Sequence, residues 1–393
     1  MAHFFSTYRF RRLGSIFHST RKGRRAKGFT LLELLVAMII GSLIVLALLT
    51  LVVQLTETNQ KDAARTQVQQ DMQSAMDYVA QDLRSAVFVY NGECLQGNGV
   101  PVSGQNFSKT CPGIIKYIPA DLNAKPDKVA VLAFWRTKEL PKEIVTLCGT
   151  SPNPEELADP NPKIVTDNIM TKAKVPCLAG YSYSLVVYSL DSTNTGIWNG
   201  KARLKRYELS QFPSNPTDEK DQTIGFVDPL AEPEFTFQQW PLKDGGATPP
   251  VNRQTDAKDA VKPGVPDGDS FTLVDFVDTT TPNDPAKTPK CDEFGTDNIS
   301  KDRSLSPIET SSPPFRSFYA CVRDGGIVNQ ITNPVTGKSI NPPSTNQDVL
   351  LVLKGNVSGQ GGFSKTNNTD NSERISPLQT RVLVRGIVGK KDE

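Results

Sequence analysis

Residues 27–33, Lys-Gly-Phe-Thr-Leu-Leu-Glu, open the stretch that decides the architecture of this chain. From Phe29 to Val53 there are 25 residues, and 20 of them are apolar. As an α-helix this segment would be about 37 Å long, enough to cross a hydrocarbon core of about 30 Å with some tilt. The sequence therefore predicts a single transmembrane helix at 29–53.

The residues before this segment are strongly basic. Eight Lys and Arg residues precede Phe29 and no acidic residue does. They are Arg9, Arg11, Arg12, Arg21, Lys22, Arg24, Arg25 and Lys27. Because basic flanks stay in the cytoplasm, we expect a single-pass protein of the inner (cytoplasmic) membrane, in contact with lipid, whose remaining chain is exported to the periplasm or cell surface.

Glu33 places a carboxylate inside the apolar segment. Such a charge costs about 2.5–3.5 kcal/mol at the centre of a spanning helix, and it usually has a partner. No basic residue lies between Gly28 and Lys61. Cleavage after Gly28 would give Phe29 a free α-amino group, and the amine of a neighbouring subunit could pair with Glu33. The segment thus predicts a removable leader at 1–28 and an assembly role for Glu33.

The run Gly28-Phe29-Thr30-Leu31-Leu32-Glu33 resembles the prepilin peptidase site of type IV pilins and type II secretion pseudopilins. The resemblance implies cleavage after Gly28, N-methylation of Phe29 and guidance of the subunit into a filament by Glu33. The implied partners are prepilin peptidase, other minor pilins or pseudopilins and the inner-membrane assembly platform. A plain signal anchor is the alternative interpretation, whereas a secretory signal peptide would have an apolar core of only about 7–15 residues.

A second helical segment follows the apolar one. Neither Gly nor Pro occurs from Ser42 to Asn91, and apolar residues recur every three or four positions, which is typical of an amphipathic helix. This apolar stripe contains Val68, Met72, Ala75, Met76, Val79, Leu83, Ala86 and Val87. The polar residues that mostly occupy the opposite face are Lys61, Asp62, Arg65, Asp71, Asp77, Asp82 and Arg84. We predict an amphipathic extension over 54–90 that continues the first helix to about Phe88.

Residues 76–86, which contain Asp82-Leu83-Arg84, are similar to the helix end of J/W-type minor pilins. The predicted strand at 181–190, followed by residues 204–207, resembles the central hairpin of their heads. In overall size the head is similar to pseudopilins of the cyanobacterial hormogonium polysaccharide secretion system. The resemblance implies a minor, non-enzymatic subunit of a type II secretion pseudopilus or type IV pilus that serves protein or polysaccharide secretion.

Residues 91–393 are predicted to form an exported, β-rich head with long loops, because segments rich in Val, Leu, Tyr and Phe alternate with Pro-, Asn- and Gly-rich ones. The predicted strands are 129–135, 181–190, 202–209, 271–277, 318–323, 349–353 and 380–388. The longest predicted loops are 149–172, 241–268, 278–290 and 355–377. The fold class is therefore α+β and pilin-like, with one long N-terminal helix packed on a β-rich head.

Removal of the leader changes the composition of the chain. It takes away both histidines, His3 and His18, and leaves 36 Lys and Arg against 42 Asp and Glu, a formal net charge of −6. An acidic head gives no support to nucleic-acid binding. A mature chain without histidine also cannot form a Ser-His-Asp or Cys-His site, or a zinc site with histidine ligands.

All six cysteines lie on the exported side, where an even number indicates disulfides. They are Cys94, Cys111, Cys148, Cys177, Cys291 and Cys321. Six cysteines allow 15 pairings, and we choose nearest-neighbour pairing. The alternative is that one or more pairs stay reduced and buried.

Other candidate sites are weak, and we predict no metal, no cofactor and no catalytic residue. Residues 333–339 approach a phosphate loop, but Thr332 stands where the first glycine is required, so we predict a turn. Five acidic residues are candidate calcium ligands, but they lack the spacing of a calcium-binding loop, and we interpret them as solvated. They are Asp267, Asp269, Asp292, Glu293 and Asp297. Two alternative functions remain, a membrane-anchored extracytoplasmic binding protein that does not polymerise and an anchored hydrolase that acts through carboxylates.

Overall fold

A computed structural model describes most of the chain. The described residues are 28–97, 111–124, 126–150, 173–232, 235–246, 249–279, 291, 303–308, 317–323, 331–332, 339–340, 347–364 and 373–384. Residues 1–27 of the predicted leader lie outside them. The chain divides into two compact units, residues 1–57 and 58–393, and the second unit, which includes the end of the first helix, is called the head below.

Within the described residues there are three α-helices and thirteen strands. The helices are α1 (Leu31–Arg84), α2 (Gly92–Gln96) and α3 (Lys142–Thr150). The first seven strands are β1 (Ala86–Val89), β2 (Lys128–Glu139), β3 (Tyr181–Asp191), β4 (Ala202–Leu209), β5 (Leu242–Lys243), β6 (Val251–Asn252) and β7 (Asp269–Val277). The other six are β8 (Arg303–Ser306), β9 (Phe318–Arg323), β10 (Ile331–Thr332), β11 (Ser339–Ile340), β12 (Asp348–Leu353) and β13 (Leu378–Leu383).

The long helix ends at Arg84, earlier than the predicted end near Phe88. The Ser85 backbone N–H and hydroxyl both donate to the Asp82 carbonyl, at 3.1 and 2.6 Å, and close the last turn. The next four residues, Ala86–Val89, pair with β2 as a strand. Valine and phenylalanine favour a strand where a neighbouring strand is available, and this tertiary pairing overrides the helical spacing.

A five-stranded antiparallel sheet forms the centre of the head, in the order β1-β2-β3-β4-β7. Both of its faces are buried, because alternate residues of its strands enter two different cores. Phe134 of β2 and Tyr188 of β3 contribute to the core that also holds α1. Trp135 follows Phe134 in β2 and pairs with Leu185 of β3. Both residues contribute, with Trp240, to a second core on the other face of the sheet.

A four-stranded antiparallel sheet, in the order β13-β12-β9-β8, covers the helix as well. Phe318 of β9 and Leu351 of β12 belong to the same core as Tyr188 and the apolar stripe of α1. The buried stripe residues of α1 in that core are Val68, Met72, Ala75, Met76, Val79, Ala80 and Leu83. The C-terminal half of α1 is therefore enclosed by residues of two sheets, and the predicted α+β fold with a helix packed on a β-rich head is confirmed.

All seven predicted strands are present, with ends that differ by a few residues, and residues 385–388 of the last predicted strand lie outside the described residues. The predicted loop at 241–268 contains β5, β6 and a short 3-10 helix at Arg253–Thr255. The sequence analysis also missed β1, β8 and the helix α3. In α3, Ile144 is buried in a small cluster with Leu140 and Val175. These tertiary contacts stabilise a short helix that the spacing of its apolar residues did not predict.

Three disulfides link the cysteines in nearest-neighbour order. Cys94 is bonded to Cys111, Cys148 to Cys177, and Cys291 to Cys321. Their sequence separations are 17, 29 and 30 residues. Disulfides are therefore part of this fold, and the pairs are those that the sequence analysis chose.

Candidate processing and assembly site

The start of α1 is a reciprocal hydrogen-bonded cap. The Glu33 carboxylate accepts from the Thr30 backbone N–H and from the Thr30 hydroxyl, both at 3.1 Å. In return the Glu33 backbone N–H donates to the Thr30 hydroxyl oxygen at 3.3 Å. The pattern Thr-x-x-Glu is a capping box, in which the side chain of each residue accepts from the backbone N–H of the other, so that two N–H groups without helical partners are satisfied. Thr30 thereby fixes where the helix begins.

This cap supplies a hydrogen-bonding partner for the Glu33 carboxylate. No cation is near it in the apolar segment, but its carboxylate is not without a partner, because Thr30 supplies two donors. A carboxylate in the first turn also interacts favourably with the positive end of the helix dipole. The sequence analysis missed Thr30 as a functional residue, although its spacing from Glu33 is the signal of a capping box.

Gly28 and Phe29 lie immediately before α1 and are exposed. No atom lies within 4 Å of the position that a Cβ on Gly28 would occupy. A larger side chain at Gly28 would therefore meet no clash in this structure. Phe29 is 82% exposed, so the described residues leave the peptide bond between Gly28 and Phe29 accessible.

The apolar half of α1 presents large side chains all round. Every Leu, Ile, Val and Met from Leu31 to Leu55 is at least 45% exposed. Within the described residues, α1 is the one helix long and apolar enough to cross a membrane. Apolar surface of this extent requires lipid or other apolar helices around it. The segment is consistent with a membrane-anchored, single-pass protein.

The hydroxyl groups inside this apolar half are bonded to the helix itself. Ser42, Thr50 and Thr56 donate to the carbonyl oxygens of Ile39, Ala47 and Val52, each at 2.8 Å. A hydroxyl that is satisfied by its own helix costs little to place in hydrocarbon. These residues therefore do not oppose burial of the segment in lipid.

The other end of α1 is held by a buried cluster of charges, and Asp82 is its centre. Asp82 is 7% exposed, which corrects its predicted place on the polar face. Its carboxylate accepts from Arg136 Nη1 at 2.9 Å and from Arg206 Nε at 2.8 Å. The Tyr188 hydroxyl donates to it at 2.8 Å. Glu208 completes the cluster and accepts from both arginines at 2.7 and 2.8 Å.

The charges in this cluster stabilise one another. Burial acts to raise the pKa of Glu208, but Arg206 and Arg136 outweigh it and lower that pKa to about 2. Burial acts to lower the pKa of Arg206, but its hydrogen bonds to Asp82 and the charge of Glu208 raise that pKa instead. Burial and the charge of Asp82 raise the pKa of Tyr188, which remains a neutral donor. The cluster fixes the end of α1 to strands β2, β3 and β4.

The remaining candidate residues show no assembled site. Asp269 begins β7, and the Asp267 backbone N–H donates to the Ile224 carbonyl at 3.2 Å. Among the residues that the structure describes, no three His, Cys, Asp or Glu side chains are grouped so that they could hold a metal ion. The acidic candidates at 292, 293 and 297 and most of the loop at 333–339 lie outside those residues.

Comparison with known proteins identifies one feature of the chain. The family described as the prokaryotic N-terminal methylation motif matches residues 23–49. Comparison with curated proteins gives no match, and comparison with solved structures gives none either. The match covers the predicted cleavage position at Gly28, together with Glu33 and the first part of α1. It supports a type IV pilin-like protein that prepilin peptidase processes, and it indicates a structural protein rather than an enzyme.

Proposed function

We propose that this chain is a minor pilin or pseudopilin, a structural subunit of a type II secretion pseudopilus or a type IV pilus-like machine. Prepilin peptidase would cut after Gly28, Phe29 would be N-methylated, and Glu33 would direct the subunit into the filament. The single observation that carries the proposal is the methylation motif at 23–49, which runs directly into an apolar helix with an intramembrane carboxylate.

The capped start of α1 supports a role of Glu33 between subunits. Thr30 is neutral, so its two hydrogen bonds leave the negative charge of Glu33 uncompensated. An uncompensated charge in a low-dielectric environment favours pairing with a cation. The amine that cleavage creates on Phe29 of a neighbouring subunit is such a cation, and a pair of this kind would set the stagger between neighbouring helices.

The buried place of Asp82 supports the J/W-type branch. The Asp82-Leu83-Arg84 run is the residue pattern on which that resemblance rests, and Asp82 fixes the helix end to the sheet through Arg206 and Arg136. A role near the filament tip, and partners among the other minor subunits and the assembly platform, go with this branch. Secretion of protein or of polysaccharide, as in the hormogonium group, is the corresponding proposal for the cargo.

The proposal is tested by two substitutions at Glu33 that separate the cap from the charge. Glu33→Gln keeps an oxygen that accepts from Thr30, because Gln serves in a capping box as Glu does, but it removes the charge. Glu33→Val removes both. We expect both variants to lose their leader normally and to be absent from the sheared filament fraction, as measured by immunoblot against the membrane fraction.

A matched control at Thr30 completes the design. Thr30→Val removes the hydroxyl of the cap and keeps the charge of Glu33, so we expect this variant to assemble. Normal assembly of Glu33→Gln would contradict pairing between subunits and would reduce Glu33 to a helix cap. An uncut leader, together with absence of the wild type and all three variants from the filament fraction, would favour an anchored binding protein that does not polymerise.

A further inference from the structure

Two uncharged segments of the head lie side by side. The hairpin loop, residues 192–200, lies between β3 and Lys201, which precedes β4, and the glycine loop, residues 355–364, follows β12 and Lys354. Neither contains a charged residue, although 22% of the chain is charged. The two loops touch, because the Asn199 carbonyl is so close to Gly359 that a Cβ there would clash. Gly359 also has a φ of 87°, a left-handed conformation that favours glycine.

The glycine loop packs on the first turns of α1 within the head. A Cβ on Gly362 would lie 3.1 Å from Lys61 Cγ and 3.6 Å from Gln60 Cβ. The Arg65 guanidinium lies over the Phe363 ring, 5.5 Å from its centroid. The two uncharged loops therefore belong to the end of the head that contains residues 60–65 of α1.

Only a short stretch of chain separates the apolar segment from Gln60 and Lys61. Leu55, 55% exposed, is the last large apolar residue before Lys61, which follows six residues later. Six helical residues rise about 9 Å. The headgroup layer on each side of the hydrocarbon core is about 5–8 Å thick. Residues that pack against Gln60 and Lys61 are therefore within reach of the headgroups.

The hairpin loop has the chemistry of an interfacial contact. Ile197 at its tip is 79% exposed, and Trp198 follows it. The Arg203 guanidinium lies over the Trp198 ring, 5.7 Å from its centroid. Tryptophan and exposed apolar side chains favour the membrane–water interface. The loop is also held in place: Arg203 Nη2 donates to the Thr193 carbonyl at 2.6 Å and to Asp191 Oδ1 at 2.9 Å. Its exposed tip is thus presented by a fixed base.

We propose that the hairpin loop, with Ile197 and Trp198, and the adjoining glycine loop rest on the headgroup layer of the membrane that holds residues 29–53. The contact exists while the subunit is in the membrane and is released when the subunit enters a filament. This inference rests on the membrane anchoring in the proposed function. The two loops contact the lipid surface itself, and no other protein is needed for this contact.

The test uses tryptophan fluorescence of the full-length chain in phospholipid nanodiscs, with and without brominated acyl chains that quench on contact. The chain has three tryptophans, and two of them, Trp135 and Trp240, are fully buried. We expect emission to fall in brominated nanodiscs, and we expect Trp198→Phe to abolish that lipid-dependent loss. Ile197→Asn should reduce the loss, because it removes the apolar tip.

Leu178→Asn is the matched control. Leu178 is 90% exposed and precedes Tyr181, the first residue of β3, whose other end leads into the hairpin loop. An eleven-residue strand separates the two positions by about 35 Å. The proposal predicts that this substitution leaves the lipid-dependent quenching unchanged.

Equal quenching in the wild type and in Trp198→Phe would overturn the inference. If the chain is nevertheless recovered in the nanodisc fraction, membrane anchoring and the proposed function still stand. If Trp198 is shielded only in assembled filaments, the hairpin loop contacts a neighbouring subunit, and the lipid contact is wrong. Failure of the chain to enter nanodiscs at all would remove both proposals.

Discussion

Arg206 Nε lies 2.8 Å from Asp82 Oδ2, and the two residues are 124 positions apart in the chain. Both side chains are almost fully buried, at 3% and 5% exposure. The contact joins the last turn of α1 to the centre of the five-stranded sheet. Because each charge is desolvated, the pair is costly to break, and it sets the position at which the helix meets the head.

Asp82→Asn should destabilise the head strongly. The substitution keeps the shape of the side chain but leaves the buried charges of Arg206 and Arg136 without their carboxylate. Removal of one partner from a buried pair costs about 3–5 kcal/mol of unfolding free energy. Chemical denaturation of the purified full-length chain, followed by near-UV circular dichroism, measures the loss.

The control for that prediction is Asp77→Asn. Asp77 lies one and a half turns earlier on the same helix and is exposed. Substitution of an exposed residue away from special contacts changes stability by about 0.5 kcal/mol or less. Similar losses in the two variants would contradict the central place of Asp82 in the cluster.

Stability of the head should fall in acid because of Glu208. Its carboxyl has a pKa of about 2 in the folded chain, against an ordinary value of 4.5. The folded state therefore binds this proton more weakly than the unfolded state. The stabilisation is complete above pH 4.5 and is lost as the pH falls from there towards 2. It amounts to about 3 kcal/mol.

Glu208→Gln separates this effect from general acid denaturation. The variant should be less stable than the wild type at pH 7, and the difference should shrink as the pH approaches 2. Denaturation curves at several pH values provide the measurement. A difference between wild type and variant that stays constant with pH would show that Glu208 does not titrate in this way.

Loss of the Cys148–Cys177 disulfide should destabilise the chain measurably. The bond closes a loop of 29 residues beside the small core around Ile144. A loop of this length corresponds to about 3–4 kcal/mol in the chain-entropy account of disulfides. Replacement of both cysteines by alanine should lower the midpoint of thermal unfolding.

The disulfide pairs themselves can be checked in the wild type. Non-reducing peptide mapping should recover the three pairs. A map with any other pair would contradict the arrangement.

Thr30→Val should loosen the start of α1 without changing its remainder. The variant loses a hydroxyl that both donates to Glu33 and accepts from its N–H. A lost cap costs about 1 kcal/mol, which corresponds to roughly fivefold faster exchange of the protected amides. Hydrogen exchange of residues 33–36 in detergent micelles, compared with residues 43–46, measures the effect. Equal exchange in variant and wild type would show that the cap does not hold the helix start.

Local patterns in the sequence predicted the features that depend on nearby residues. The stripe from Val68 to Leu83 and the strands rich in Val and Leu were predicted correctly, since they reflect burial of periodic or alternate side chains. The long apolar helix was predicted from its composition alone. The capping box is equally local, because Thr30 and Glu33 stand three residues apart, but a carboxylate in an apolar segment suggests a cation as its partner before a neutral hydroxyl.

Features that depend on distant residues were not accessible in this way. A single Asp82 in a helical pattern appears polar, and nothing near it indicates that arginines of β2 and β4 will bury it. The predicted helix end near Phe88 was wrong for the same reason, because the residues after Arg84 become helix or strand according to whether β2 is there to pair with them.

The N-terminus of the protein in the membrane fraction tests the central claim most directly. Intact mass and N-terminal peptide analysis distinguish the possible starts without any assumption about assembly. The account predicts a chain that begins at N-methylated Phe29, with residues 1–28 removed. A chain that begins at Met1 or Ala2 would contradict it, because Glu33 would then lack the neighbouring amine on which filament assembly is proposed to depend.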